Sequence, residues 1–167
     1  MFFNEGLQRD TRTRFYMPVQ HVVQAQDAVE TENLIENPLL QNHVHSDTAS
    51  VLTEIRGSVV LDFGRAIHGG IRILNYGREN TIQVGFGESV SEAIGKSNQD
   101  HSIRCADLAL PTNGMLEYGN TVFRFVRITA TGDFPLQIQN VVAVVLERDI
   151  EVTGSFESND DKLNKIW

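Results

Sequence analysis

Short runs in which apolar and polar residues alternate fill the sequence from Ser58 onward. Successive side chains of a strand face opposite sides, so alternation of this kind is typical of strands that are buried on one face. Such runs occupy residues 59–63, 71–73 and 82–86, and a β-branched stretch occupies residues 138–146. No helical pattern long enough to join parallel strands separates them. We therefore predict an all-β fold, an antiparallel β-sandwich of jelly-roll type.

Glycine marks the predicted turns between these strands, because it adopts backbone conformations that other residues avoid. We place turns at Gly64, at the pair Gly69 and Gly70, and at Gly119, among other positions. Their close spacing favours strands joined by short connections, as in an antiparallel sheet.

The chain divides into three parts by its sequence pattern. Residues 58–157 form the predicted sandwich core, which a strand at 151–156 closes. Residues 1–57 are predicted to pack on this core as N-terminal strands and a long covering loop. The loop is the polar, glycine-free segment 26–50, with one helical turn, and the strands are predicted at residues 14–17 and 21–23.

The third part, residues 158–167, predicts the start of a helix. Asp160 and Asp161 suit the first turn of a helix, where their charges complement the helix dipole. Leu163, Ile166 and Trp167 follow at helical spacing on one face. A helix of barely two turns is marginal by itself, so we expect it to open a helical domain that is missing here, with these three residues as interdomain contacts. The alternative is a short C-terminal helix that docks on the sandwich.

Composition excludes several classes of site and partner. A chain of 167 residues can bury a core without disulfides or a structural metal. Its one cysteine, Cys105, excludes an intrachain disulfide and a cysteine-rich zinc site. The net charge of −8 argues against a nucleic-acid partner, and the longest apolar run, residues 141–146, is too short to span a membrane. We expect no cofactor.

Six segments occur in an order that resembles one enzyme family. They read VLDFGR at 60–65, GGIRI at 69–73, IQVGFGES at 82–89, FRFVRI at 123–128, and GSFESND at 154–160 followed by LNKIW at 163–167. Together they resemble the bacterial α-L-rhamnosidase family of glycoside hydrolases, in the β-sandwich domain directly before the catalytic barrel. The resemblance runs from about residue 58 to residue 167.

The resemblance implies a non-catalytic accessory domain. In that family the catalytic carboxylates lie in an α/α barrel that would follow this chain, so no catalytic residue is carried over. The implied role is to support the barrel, with one loop at its cleft, and the implied partners are that helical domain of the same polypeptide and rhamnose-containing glycans. Residues 1–5 show no signal peptide; a periplasmic or secreted location would follow from a glycan-degrading parent. The alternatives are a free-standing carbohydrate-binding module and an interaction domain without sugar affinity.

Polar loop residues and aromatic residues beside turns are the candidates for sugar contact. The segment 89–101 is long and polar, and its side chains suit sugar hydroxyls. Glu88 ends a strand next to it, and two tyrosines beside turns offer rings for stacking. The candidates are Glu88, Asn98, Asp100, His101, Tyr76 and Tyr118. For each, an ordinary solvated or rim residue is the alternative.

Acidic residues and histidines give no catalytic or metal site in the sequence. Glycoside hydrolysis needs two carboxyl groups across the sugar, and the spacing of Glu88, Glu92, Asp100 and Asp107 fixes no pair. His43, His45 and Asp47 lie close together, but a third or fourth ligand at a definable spacing is missing. We therefore predict a polar loop there and no metal site.

Overall fold

The structure, a computed structural model, describes residues 12–36, 50–52, 56–95, 105–148, 151 and 153–166. Nine strands and three short helices lie in these ranges. The strands are β1 (Thr13–Pro18), β2 (His21–Gln26), β3 (Ala28–Val29), β4 (Ser50–Leu52), β5 (Ser58–Asn75), β6 (Asn80–Gly87), β7 (Cys105–Leu110), β8 (Met115–Ala130) and β9 (Leu136–Glu147). The helices are α1 (Asn33–Glu36), α2 (Val90–Ile94) and α3 (Asp161–Ile166). No helix in these ranges is long and apolar enough to cross a membrane.

Two long strands, β5 and β8, run through both layers of the fold. They pair with each other from Ser58 opposite Thr129 to Leu74 opposite Met115. The first part of β5 also pairs with β2 and its second part with β9, which pairs in turn with β1 and β4. The last part of β8 pairs with β6, and β6 pairs with β7. Every one of these pairs is antiparallel, and the predicted β-sandwich of jelly-roll type is confirmed.

We call the sheet of β1, β9, the second part of β5 and the first part of β8 the first layer. The second layer holds β2, the first part of β5, the second part of β8, β6 and β7. Three phenylalanines meet in the core. Phe123 lies 4.9 Å from Phe86 and 5.8 Å from Phe63, measured between ring centroids, and all three are buried.

An ion pair ties the two long strands together where β5 has extra residues. Asp62 opposes Phe125 and Ile67 opposes Phe123, so five steps along β5 match two along β8. This bulge bends the strand. The buried Asp62 carboxylate accepts hydrogen bonds from Arg124 Nε at 2.8 Å, Arg124 Nη2 at 2.9 Å and the Gly64 amide at 2.7 Å. The Arg124 hydrogen bonds, above all, lower the pKa of Asp62.

Strands β5 and β8 contain the four glycines at which we predict turns, Gly64, Gly69, Gly70 and Gly119. Those turn predictions are therefore wrong. The glycines sit where the strand register shifts or where another backbone approaches closely. A Cβ on Gly69, for example, would lie 1.9 Å from the Val144 carbonyl oxygen. Glycine inside a strand often marks such positions.

The flanking segments agree with the sequence only in part. The strands near residues 14–17 and 21–23 are confirmed, and α1 supplies the helical turn, with Leu34 buried in the core. The predicted strand at 151–156 is wrong: residues 151 and 153–156 form no strand, and Phe156 is exposed. Without a partner strand, alternation alone does not make a strand.

The helix predicted near the C-terminus is confirmed as α3. Asp160 caps it, because its Oδ1 accepts a hydrogen bond from the Lys162 amide at 2.8 Å. Asn164 reaches back to the backbone of Ser158, accepting from its amide and donating to its carbonyl, both at 2.8 Å. Leu163 is exposed. The side chain of Ile166 and all of Trp167 lie outside the described residues.

Candidate functional site

A cleft of about 280 Å³ opens on the outer face of the first layer, opposite the core. Its lining includes Arg14, Gly70, Glu117, Gly119, Val144 and Leu146, and we call it the outer-face cleft. Gly70 opposes Val144, and Arg14 opposes Leu146, across strand pairs. Directly opposed residues of an antiparallel pair point to the same face, whereas the neighbouring Ala143 belongs to the core. Four strands therefore contribute to one surface.

A carboxylate held by two guanidinium groups forms the polar wall of the cleft. Glu117 Oε1 accepts from Arg72 Nε at 2.8 Å and lies 2.7 Å from Arg72 Nη2. Its other oxygen, Oε2, accepts from Arg14 Nη2. The three groups carry a net charge of +1 when Glu117 is ionised. Hydrogen bonds between ionised groups are stronger than neutral ones, so this wall is well ordered.

Tyr16 supports the polar wall from β1, which is separated from β5 by β9. The Arg72 guanidinium lies 4.1 Å from the centroid of the Tyr16 ring, and its Nη2 donates to the Tyr16 hydroxyl at 2.5 Å. A cation over an aromatic face is attracted by the ring. The side chain of Arg72 is 17% exposed, against 51% for Arg14. Arg72 is therefore the fixed member of the pair, and Arg14 the accessible one.

The ionisation of Glu117 follows from two opposing effects. Partial burial raises its pKa, but the hydrogen bonds and charges of Arg72 and Arg14 together outweigh burial. The net result is a pKa below the ordinary value for a glutamate. Glu117 is thus a carboxylate at neutral pH, able to accept hydrogen bonds and unsuited to act as a general acid.

Two glycines form the floor between the polar wall and the apolar side. A Cβ on Gly70 would lie 2.4 Å from the Tyr118 carbonyl oxygen and 2.5 Å from the Gly119 carbonyl oxygen. Gly119 has a φ of +106°, and a Cβ there would lie 2.8 Å from the Phe86 ring. Neither position tolerates a side chain, and the two glycines let the backbones of β5 and β8 approach closely at the floor of the cleft.

Of the predicted candidates, Tyr118 lies beside this polar wall, whereas Glu88 follows β6, which belongs to the second layer. Tyr118 lines the cleft, yet its ring is half-buried, packs on the core and stacks on Phe86 with centroids 6.1 Å apart. Glu88 is exposed at the start of α2, where its amide donates to Glu92 Oε2 at 2.9 Å. The Ser89 hydroxyl caps the same helix by accepting from the Glu92 amide at 3.3 Å. Ser89 and Glu92 thus form the start of α2.

We expect Ser89→Ala to destabilise α2 by about 1 kcal/mol, because the substitution removes the side-chain cap and leaves the Glu92 amide without its partner. Ser91→Ala is the matched control, since it removes the hydroxyl that contacts Ser89 Oγ at 3.0 Å but leaves Ser89 Oγ as the acceptor for the Glu92 amide. Hydrogen exchange of the Ala93 and Gly95 amides measures the effect. Equal exchange rates in the two variants would contradict the capping role.

Tyr76 lies at the other end of β5, in a group of turns that follow β5, β7 and β8. Asn75 and Asn80 tie these turns together. Asn75 Nδ2 donates to the Pro111 carbonyl at 2.7 Å, and Asn80 Nδ2 donates to the Phe134 carbonyl at 2.9 Å. Phe134 is 47% exposed, and the Arg78 guanidinium lies 5.3 Å from its ring centroid. We call Tyr76, Arg78 and Phe134 the turn platform.

The remaining candidates cannot be placed. Asn98, Asp100 and His101 lie outside the described residues, as do His43, His45 and Asp47. Of the acids considered for catalysis, Glu92 caps α2, and Asp107 accepts from Gln83 at 3.1 Å.

Sequence reasoning missed Arg14, Arg72 and Glu117 as a group. Arg14 and Glu117 are 103 positions apart, and only strand register brings them together. The segment at 69–73, which contains Gly70 and Arg72, is one of the segments that carry the family resemblance. The sequence signal for Glu117 was a single acid two positions before a glycine.

Comparisons with known proteins define the fold. No family model and no curated protein matches the sequence. Among solved structures, a rhamnosidase from Klebsiella oxytoca with rhamnose bound matches 93% of this chain and 33% of its own, with 18% identity and a TM-score of 0.66. The family GH78 rhamnosidase of Bacillus sp. GL1 matches 81% of this chain and 14% of its own, with 17% identity and a TM-score of 0.59.

A carbohydrate-binding module has the same fold. The CBM32 of AlyQ in complex with 4,5-unsaturated mannuronic acid matches 77% of this chain and 97% of its own, with 17% identity and a TM-score of 0.56. This chain spans about a third of the Klebsiella enzyme and nearly all of the AlyQ module. At these identities the likeness concerns the fold, and the chain is a β-sandwich of the kind found in rhamnosidases and in CBM32 modules.

Proposed function

We propose that the chain is a non-catalytic accessory β-sandwich domain of an α-L-rhamnosidase-like glycoside hydrolase. The observation that carries the proposal is the match to the Klebsiella rhamnosidase over 93% of this chain and 33% of that enzyme. Nearly the whole of this chain thus corresponds to one domain-sized part of a larger enzyme, as expected for an accessory domain. The family resemblance of the six sequence segments supports the same role.

The carboxyl groups of the described residues support a non-catalytic role. Hydrolysis of a glycoside uses one carboxyl group with a raised pKa as the acid and a second as base or nucleophile. The described carboxyl groups whose pKa is shifted are Asp62 and Glu117, and both shifts are downward. Each is engaged by arginine side chains within the sandwich. A carboxyl group with a lowered pKa is unsuited to act as the acid of this reaction.

The proposed partner is a helical catalytic domain in the same polypeptide, which the sandwich would support, and its rhamnose-containing glycan is the proposed substrate. Leu163 on α3 presents an exposed apolar side chain, and together with Ile166 and Trp167 it is the proposed contact with that domain. The capping by Asp160 and Asn164 gives this short helix a defined start.

A free-standing carbohydrate-binding module is the second candidate function. It is favoured by the match to 97% of the AlyQ module and by the turn platform, where exposed Phe134 lies beside Arg78. Aromatic faces of this kind present large apolar area for stacking. An interaction domain without sugar affinity would use neither feature.

A hydrolysis assay of the purified chain tests the accessory role. With an aryl α-L-rhamnoside as substrate we expect no turnover above the blank, because the two described carboxyl groups with shifted pKa values, Asp62 and Glu117, both have lowered pKa values and neither suits a general acid. Turnover that is lost in Glu117→Gln would contradict the proposal, since it would make Glu117 part of a catalytic pair. Glu79→Gln, on an exposed turn, is the control for nonspecific effects of removing an acid.

A further inference from the structure

We propose that the outer-face cleft binds a neutral pyranoside through two neighbouring hydroxyl groups, with Glu117 as acceptor and Arg14 as donor. The proposal goes beyond the accessory role, because it assigns a ligand and a binding site to this chain itself. It also differs in place from the turn platform, which lies on the turns beyond β5, β7 and β8.

The polar wall has the groups that a pair of hydroxyls requires. A carboxylate has about four acceptor sites and a guanidinium five N–H donors. Arg72 and Arg14 occupy part of the acceptor capacity of Glu117, and Arg14, with half of its side chain exposed, keeps N–H groups for a ligand. An acceptor and a donor side by side match two adjacent hydroxyls, each of which both donates and accepts.

The wall is also organised before any ligand arrives. Arg72 holds Glu117 at 2.8 Å and is itself held by Tyr16. A ligand that binds here does not have to order the Glu117 side chain, so less conformational entropy is lost on binding. This is the feature that separates the cleft from an ordinary exposed ion pair.

The remaining walls of the cleft suit the apolar C–H face of a sugar ring. Val144 and Leu146 contribute apolar surface beside Gly70 and Gly119, which have no side chains. A volume of about 280 Å³ lies just under the range of roughly 300–1,000 Å³ for pockets that hold drug-sized ligands. One monosaccharide unit is the size of ligand that this space accepts.

Glu117 requires a ligand group that donates a hydrogen. A carboxylate only accepts hydrogen bonds, so the carboxylate of a uronate could accept from Arg14 but has no hydrogen to donate to Glu117. Two adjacent hydroxyls of a neutral ring serve both groups, since a hydroxyl both donates and accepts.

NMR titration of the whole chain tests the proposal, with methyl α-L-rhamnopyranoside, methyl α-D-mannopyranoside and D-glucuronate as probes. We expect millimolar binding of at least one neutral glycoside, with amide shift changes centred on Gly70, Glu117 and Gly119. Glu117→Gln is expected to weaken it by about tenfold, the loss of one hydrogen bond to a charged group. Arg14→Met, at an exposed position that need not affect folding, is expected to weaken it severalfold.

Glu79→Gln is the matched control and should bind as the original chain does. The proposal is overturned by shifts centred on Phe134 instead, by stronger binding of glucuronate than of either neutral glycoside, or by no shift at tens of millimolar. Unchanged affinity in both Glu117→Gln and Arg14→Met also overturns it. The hydrolysis assay of the accessory role is independent: turnover contradicts that role whatever the titration shows.

Discussion

Replacing Gly70 with alanine is expected to lower the free energy of unfolding by about 3 kcal/mol. The added Cβ would lie 2.4 Å and 2.5 Å from the carbonyl oxygens of Tyr118 and Gly119. Both oxygens belong to the backbone of β8, so no side-chain rotation can relieve the contact. Relief requires β5 and β8 to separate where Ile71 opposes Tyr118, which would weaken the pairing that holds the first layer together.

Gly77→Ala is the matched control for this prediction. A Cβ on Gly77 would meet the side chain of Gln137 at 3.3 Å, and that flexible side chain can move aside. We expect a change within about 1 kcal/mol of the original stability. Urea denaturation of the two variants measures the difference. A similar loss in both would mean that backbone contact at Gly70 is not the cause.

The second large effect is expected for Asp62→Asn, which should lower the free energy of unfolding at pH 7 by about 2 kcal/mol. The substitution removes the charge that pairs with Arg124 and converts one acceptor oxygen into an amide donor. That amide would face the guanidinium of Arg124 or the backbone N–H of Gly64, neither of which can accept a hydrogen bond. Because Asp62 is buried, water replaces these bonds poorly.

The same group predicts the direction of the acid response. The pKa of Asp62 is lower in the folded chain than in the unfolded chain, so its contribution is fully present above about pH 4. It is lost as pH falls through the folded pKa. Asp62→Asn should therefore lose less stability than the original chain between about pH 5 and about pH 2. Glu117, whose pKa is also lowered, contributes in the same direction and remains in the variant.

Urea denaturation at several pH values checks the acid response, with Asp107→Asn as control. Asp107 makes one hydrogen bond to Gln83 near the surface, and its replacement should change stability by only about 0.5 kcal/mol. Parallel stability curves for Asp62→Asn and the original chain across the acid range would contradict the role of Asp62.

Alternation predicted the strands well where one face is buried. Ile82, Val84 and Phe86 share a face in the sequence, and all three are buried in the core. In β8 the pattern is less regular: Phe123 and Val126 are both buried although they have opposite parity. The bulge in the facing strand β5 lies at this point. A change of register depends on the partner strand, which one sequence segment does not contain.

The positions of the strand glycines and the composition of the candidate site could not be predicted from local sequence. From the sequence alone, a glycine in a turn cannot be distinguished from a glycine at a close approach of two backbones, as at Gly70. The neighbouring strands in the structure distinguish the two cases. Tyr118 and Glu88 are candidates in the sequence because they adjoin predicted turns or strand ends. Arg14, Arg72 and Glu117 meet instead through pairing across four strands. The order of strands in a sheet, rather than local pattern, decides which side chains share a surface.

The passage of β5 and β8 through both layers has a consequence for synthesis of the chain. Apart from β2, the strands that pair with β5 are β8 and β9, which follow it in sequence by about forty residues or more. A nascent chain that has left the ribosome only as far as β7 therefore exposes most of the hydrogen-bonding edges of β5. Neither layer can close before β8 emerges, so folding waits until most of the sandwich has been translated.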